Sequence, residues 1–291
     1  MTAQKDFMLI TDSTCDLPMS FYEENNIPIF SIPFTFDGVN YTHTNIELDY
    51  KAFYATIRGG AMPKTAQAGR EDMEIVFEDY LSKGFDILYI GFSSALSGSF
   101  GTGKLVLEEV SAKYPGRKTY AIDSRCASLG EGLLLYKTVQ RKKQGMGIDE
   151  LAKWVEENKL HVCHYFTVDD LNHLFRGGRV SKTSAILGSM LGIKPVLHVD
   201  DEGRLIPIGK VRGRKQSLNA LVEHMKKLTV GYDNDIVFIS HGDCEEDAKY
   251  VADLVKAQLG IKNFLINPVG PTIGAHSGPG TIALFFMGKH R

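Results

Sequence analysis

The chain has 291 residues, 43% of them hydrophobic, and a formal net charge of −2 from 33 Lys+Arg against 35 Asp+Glu. That length exceeds the roughly 100–200 residues typical of one domain and supplies a sizeable core. The balanced charge gives no global basic field to attract nucleic acid or an anionic membrane.

Cys15, Cys126, Cys163 and Cys244 are scattered without metal-ligand spacing, and a chain of this size needs no disulfides, so they read as reduced thiols. The N-terminal residues lack an apolar signal core, and no stretch reaches the roughly 18 apolar residues of a membrane span. A soluble, cytoplasmic protein is expected.

Residues 7–10 read as a short buried strand running into Thr11-Asp12-Ser13-Thr14-Cys15-Asp16-Leu17-Pro18, where Pro18 is placed to open a helix. Asp16 or Ser13 there fits a helix cap or an Asx turn as well as a functional role. A strand over 27–36 follows, Asp37-Gly38 signals a hairpin into Val39-Asn40-Tyr41, and a helix over 49–58 ends at Gly59-Gly60. A polar connector, 63–69, carries Thr65 and leads into an amphipathic helix over 71–82. The run 85–90 is apolar and short enough for a buried parallel strand, and after the loop 91–103 a helix is expected over 104–113. A strand over 118–122 and helices over 128–142 and 148–158 complete the first half, with a domain boundary at Asn158-Lys159. The division is thus 1–158 and 159–291.

The second half opens with a strand over 162–167 and a helix over 168–175, halted by Arg176-Gly177-Gly178-Arg179. A strongly apolar helix over 181–191 precedes a hairpin of 193–199 with 204–211. Helices over 216–228 and 245–258 alternate with strands over 235–240, 264–266 and 281–286. Before the last strand, the glycines and prolines of 269–280 are read as a constrained loop that holds His276. The alternation gives an α/β fold with a mostly parallel first sheet.

The loop 91–103 is the stretch around which the rest is organised, because a loop at the carboxyl edge of a parallel sheet is where ligands bind. The helix behind it presents N–H groups that favour an anion, and Ser93, Ser94, Ser97 and Ser99 crowd the loop. Thr65 sits in the connection preceding that loop's own strand and can reach the same crevice. Plainer roles stay open: Ser97 as a helix cap, His276 as a structural residue, Arg176 and Arg179 as helix-end cations. The alternative for the arginines is bidentate contact with carboxylate or phosphate.

The basic run Lys210-Val211-Arg212-Gly213-Arg214-Lys215 has no interleaved aromatics to stack on bases, so a solvated helix start or a docking patch for an acidic partner fits better than nucleic acid. No zinc, P-loop or dinucleotide fingerprint occurs, so neither a metal nor a cofactor is expected. Gly91-Phe92-Ser93-Ser94-Ala95 falls one residue short of a nucleophile elbow, and Ser93, Asp235 or Asp243, and His276 have the order of a serine hydrolase. A phosphate- or nucleotide-binding regulator using Arg176, Arg179 and the helix start at 98–103 is a third class.

Asp12-Ser13-Thr14 with Asp16-Leu17, Lys64-Thr65-Ala66-Gln67, Ser93-Ser94-Ala95-Leu96-Ser97-Gly98, Leu174-Phe175-Arg176-Gly177-Gly178-Arg179-Val180, Lys210-Val211-Arg212-Gly213 and Gly274-Ala275-His276-Ser277-Gly278-Pro279-Gly280 together resemble the DegV family of bacterial fatty-acid-binding proteins. The resemblance spans essentially the whole chain. It implies a two-domain α/β fold with a smaller C-terminal domain and one long-chain fatty acid, such as palmitate, enclosed between the domains. By resemblance the carboxylate is held by Thr65 and Ser94; Ser93, Ser97, His276 and Arg176 complete the expected ligand-binding set, with His276 adjusting the headgroup network and Arg176 on a turn better suited to a phosphate or an acidic partner surface than to an apolar tunnel.

The implied role is a carrier without catalysis of its own, which presents its lipid to a separate, dihydroxyacetone-kinase-like fatty acid kinase for phospholipid synthesis and is compatible with transient membrane contact. The family's Thr-Ser-Gln-Pro-Ser reads Thr65-Ala66-Gln67-Ala68-Gly69 here, which predicts a looser loop.

Overall fold

The computed structural model describes residues 7–36, 39–41, 49–181 and 192–291. Its first half contains β1 (Phe7–Asp12), α1 (Met19–Glu24), β2 (Ile29–Phe30), β3 (Phe34–Phe36), β4 (Val39–Tyr41), α2 (Tyr50–Arg58) and β5 (Lys64–Thr65). There follow α3 (Arg70–Ser82), β6 (Asp86–Gly91), α4 (Ser99–Ser111), β7 (Thr119–Asp123), α5 (Leu129–Lys143) and α6 (Ile148–Asn158).

Four strands pair in the order β2-β1-β6-β7, all parallel, with Leu9 opposite Leu88 and Ile90 opposite Ile122. β6 is buried along its whole length, as a parallel strand covered on both faces must be.

The strand expected over 27–36 divides, because Pro33 has no N–H to donate and the Ile32 N–H goes to Ser13 Oγ at 3.0 Å. β2 therefore joins the parallel sheet, while β3 starts a small antiparallel one of order β4-β3-β5. Phe36 pairs with Val39 across the expected hairpin turn, whose Asp37 and Gly38 lie outside the described residues. Thr65, expected in a connector, is in β5 opposite Phe34.

α4 begins five residues earlier than its apolar period indicated, so Gly101 and Gly103 are helical rather than part of a glycine-rich loop. A Cβ on Gly103 would lie 2.7 Å from the Tyr89 ring, which explains that glycine by packing.

The second half contains β8 (Val162–Thr167), α7 (Leu171–Arg176), β9 (Ile193–Val199), β10 (Leu205–Arg212) and α8 (Arg214–Leu228). It closes with β11 (Val237–His241), α9 (Glu245–Leu259), β12 (Phe264–Pro268), α10 (Pro271–Ser277) and β13 (Ile282–Met287). The sheet order is β10-β9-β8-β13-β11-β12, antiparallel throughout except for β11 with β12. The constrained loop expected around His276 is in fact the short helix α10, opened by Pro271 at its first turn and ended by Gly278 at φ 75°. Of the apolar helix expected over 181–191, residues 182–191 lie outside the described residues.

α5 lies between the two sheets: its Leu133 and Leu134 share one core with Leu88 of the first sheet and Phe238 and Phe285 of the second. Tyr136 meets Phe238 edge-on at 5.4 Å between ring centroids. The core therefore runs across the expected boundary at Asn158-Lys159, which remains a proposed division of the chain.

Arg291 ties the same region together without a carboxylate. Its guanidinium donates to the carbonyls of Val162 (3.1 Å), Asp200 (3.2 Å), Ser124 (3.3 Å), Lys159 (2.6 Å) and Arg125, and to Cys126 Sγ at 3.0 Å. One fork of donors thus serves three segments at once. Arg291→Ala is expected to lower the urea midpoint by the equivalent of about 2–3 kcal/mol at unchanged m-value, and Arg291→Lys to recover only part of it. An unchanged midpoint in Arg291→Ala would show the hub to be energetically idle.

Candidate ligand-binding site

The turn after β6 is shaped by its own backbone. Phe92 N donates to Asp12 Oδ2 at 3.0 Å, and the N–H groups of Leu96 and Ser97 both turn back onto the Ser93 carbonyl, at 3.0 and 3.1 Å. Ser97 Oγ then accepts from Ser99 N at 3.2 Å, so Ser97 helps to start α4. Capping and ligand contact are not exclusive, because Ser97 also lines a cavity.

That cavity, of about 320 Å³, is walled from both halves of the chain. Phe92 and Leu96 come from the first half, and Phe166, Leu174, Val199, Leu205 and Phe285 come from the second. Polar side chains in this lining include Thr65, Gln67, Ser97, Arg179 and His276. Thr65 Oγ1 and His276 Nε2 are 2.8 Å apart.

Burial, reinforced by the positive charge of Arg179, pushes the His276 imidazole down to about 4, so the ring is neutral at pH 7. Its other face lies against Gly177, where any Cβ would collide with the ring. Arg179 donates from Nε to the Leu96 carbonyl at 3.2 Å and from Nη1 to the Gly177 carbonyl. It is half-buried, burial lowers its pKa, and no carboxylate among the described residues pairs with it. A cation held this way beside two hydroxyls is suited to an incoming anion.

Three of the six expected ligand residues, Thr65, Ser97 and His276, line the cavity; Ser93, Ser94 and Arg176 do not. Ser94 is exposed and donates from Oγ to Asp123 Oδ2 at 2.5 Å, because the turn directs it towards the end of β7. Ser93 is buried on the other side of the turn, with its hydroxyl on the Gly203 carbonyl at 2.9 Å. Arg176 is exposed at the end of α7, where Nη2 lies 3.1 Å from His173 Nδ1.

The members of the hydrolase reading are therefore engaged elsewhere. Ser93 bonds to a carbonyl, His276 to Thr65, Asp235 to Lys137 and Asp243 to Arg58. The regulator reading fares no better, since Arg176 and Arg179 diverge and the glycines after Gly98 are inside α4.

The altered loop after Thr65 has its own tether. Ala68 N donates to Ser99 Oγ at 3.3 Å, a bond that proline at this position has no N–H to make, and Thr102 Oγ1 donates to Gln67 Oε1 at 3.3 Å. These bonds offset the looseness expected from the missing proline.

Arg179, for which the sequence left both a helix-end role and contact with a carboxylate or phosphate open, lines the cavity, and so do Ser128 and Ser240, which it did not single out. Among the described residues no cluster of His, Cys, Asp and Glu is arranged to hold a metal, and no helix is long and apolar enough to cross a membrane.

Fold and site together define an α/β protein with two main sheets and an apolar cavity whose polar group is ready for an anion. The chain belongs to the DegV family, described as uncharacterised proteins, whose model matches residues 6–289. A DegV domain-containing protein of Clostridium perfringens is 44% identical over 285 residues, covering 98% of each chain.

Among solved structures, the fatty-acid-binding DegV family protein of Streptococcus agalactiae is 27% identical with a TM-score of 0.86, over 98% of this chain and 100% of that one. DegV of Bacillus subtilis, a fatty-acid-binding protein, is 28% identical with a TM-score of 0.82, over 98% and 100% of the two chains.

The depressed pKa of His276 has a consequence for stability. The unfolded ring takes up its proton near pH 6.5 and the folded ring only near 4, so stability is lost as pH falls through that window. His276→Asn is expected to lose less stability than the parent between pH 6.5 and 4, measured by urea unfolding at each pH. An identical pH slope in the two proteins would mean that folding does not depress the pKa of the ring.

Proposed function

We propose that this protein binds one long-chain fatty acid in the cavity, with the carboxylate on Thr65, Ser97 and Arg179 and with His276 orienting Thr65. The single observation that carries this reading is a half-buried arginine, without a carboxylate partner among the described residues, that shares a largely apolar cavity with the hydroxyls of Thr65 and Ser97. The fatty-acid-binding relatives of the same fold support it.

Ser97 takes the role that resemblance gave to Ser94, since Ser94 is outside the cavity lining. A palmitate-length chain suits the energetics, because transfer from water is worth about 0.8 kcal/mol per methylene and approaches 10 kcal/mol over roughly a dozen. The headgroup contacts then govern orientation more than affinity.

The protein acts in this reading as a cytoplasmic carrier that presents its lipid to a separate fatty acid kinase of the dihydroxyacetone-kinase type, which feeds acyl-phosphate to phospholipid synthesis. Arg176, exposed at the end of α7 and close in sequence to Arg179, is the cation offered to the acidic or phosphate-bearing face of that partner.

Mass spectrometry of an organic extract of the purified protein is expected to find about one equivalent of a C14–C18 fatty acid. A lipid-free extract combined with no uptake of added palmitate or oleate would end the carrier reading. Thr65→Ala and Ser97→Ala are each expected to weaken retention about 10- to 100-fold, as for the loss of a hydrogen bond to a charged group. Arg176→Ala is expected to keep its lipid and yet slow acyl-phosphate formation when kinase and ATP are supplied. Full phosphorylation by that variant would remove Arg176 from the partner-facing surface.

A further inference from the structure

The cavity has a second polar spot that a simple saturated acyl chain leaves unused. Ser128 and Ser240 both line the wall, both are buried, and their Oγ atoms are 3.1 Å apart. They come from elements that do not contribute to the Thr65 group: Ser128 precedes α5, and Ser240 is in β11 opposite Ala283 of β13. Ser128 is held at φ 54° and ψ −145°, a conformation that costs any residue with a side chain. The surrounding bonds maintain it and keep its hydroxyl at the cavity wall, where it also meets Asp16 Oδ2.

Proton bookkeeping leaves one hydroxyl function over. Burial raises the Asp16 carboxyl to about 8, so near neutral pH it is largely protonated and donates to Ser128 Oγ, while Ser128 donates to Ser240 Oγ. The hydrogen of Ser240 then has no acceptor in this relay. Ser277 also lines the cavity; the residue is 4% exposed and its Oγ has no hydrogen-bond partner. Buried hydroxyls are rarely left so.

The character of the spot selects its ligand. A carboxylate here would face Asp16, with Asp12 near enough to raise the Asp16 pKa further. A neutral hydroxyl, which both donates and accepts, matches the serines without the cost of desolvating a charge there.

We propose that Ser128 and Ser240 form a second polar subsite for a hydroxyl group carried along the acyl chain, so that hydroxylated long-chain fatty acids are preferred ligands. This rests on the fatty-acid reading above and names the substrate class within it.

The test uses the delipidated full chain and displacement of a fluorescent fatty acid by stearic acid and by its 9-, 10- and 12-hydroxy derivatives. One positional isomer is expected to bind about 3- to 10-fold more tightly than stearate, the worth of one net hydrogen bond. In Ser240→Ala the ratio of the two affinities should fall to about 1. Should Ser240→Ala not unfold cooperatively, Ser128→Gly carries the same test, since glycine accepts the positive φ and removes the hydroxyl. Tight stearate binding with no isomer preferred would overturn the subsite alone, as would a preference that survives in both variants. If neither stearate nor any hydroxystearate binds, the fatty-acid reading falls and the subsite with it.

Discussion

Asp16 is the group on which the walls of the cavity depend. Its backbone is left-handed, at φ 53°, and its side chain accepts from Gly270 N at 3.0 Å and bonds to Ser128 Oγ, while its carbonyl accepts from Asn267 Nδ2 at 2.7 Å. One residue after β1 thereby fixes the start of α5 and the segment from β12 into α10. A fully buried carboxylate in such a place would be costly, and raising the pKa to about 8 is how the site avoids it. Because the folded pKa lies above the unfolded one, this contribution to stability is complete below about pH 4 and is lost as pH rises through 8.

The position of α10 follows from that anchorage and from two more bonds across the halves. Tyr54 donates to the Val269 carbonyl at 2.8 Å and Thr272 to the Ile32 carbonyl at 2.9 Å, so the helix that carries His276 is held by the first half although it belongs to the second by sequence. His276 then needs room on its remaining side, which only a glycine at 177 gives. The Arg-Gly-Gly-Arg turn is thus a steric requirement of the histidine before it is a display of arginines. Pro271, with φ already suited to a first helical turn, lets a seven-residue helix start among glycines that would not favour one alone.

Most of the architecture was legible in the chain because buried strands and amphipathic helices carry their period with them. Residues 85–90 and 162–167 announced β6 and β8 within a residue, and the hairpin of β9 and β10 was marked by its Asp-Asp-Glu-Gly turn. The misreadings occur where tertiary contacts override local preference. Glycine density disguised α10 and the first turn of α4, and β5 exists only because β3 is there to pair with it.

The site was half legible for the same reason. Thr65, Ser97 and His276 stood out by residue type, but which serine of a crowded turn faces the cavity is decided by the backbone between Ser93 and Ser97. Arg179 turns inward through its bonds to Leu96 and Gly177, which no spacing rule contains. Ser128 and Ser240 are 112 residues apart and ordinary in their local sequence, so only the fold brings them together.

The two polar parts of the cavity differ in character: one holds a cation, the other two hydroxyls beside a carboxyl that burial keeps largely protonated. Arg179 is already partly desolvated when the protein folds, and no carboxylate among the described residues neutralises it, so an incoming carboxylate meets a preorganised charge and contributes only its own desolvation to the cost of pairing. At the other part the fixed groups are Asp16, with Asp12 and Glu131 buried behind it and all three raised in pKa by burial. A negative headgroup placed there would drive these carboxyls further towards protonation and gain nothing in return. An apolar wall discriminates only by length and shape, so it is the polar groups set into it that distinguish one amphiphile from another.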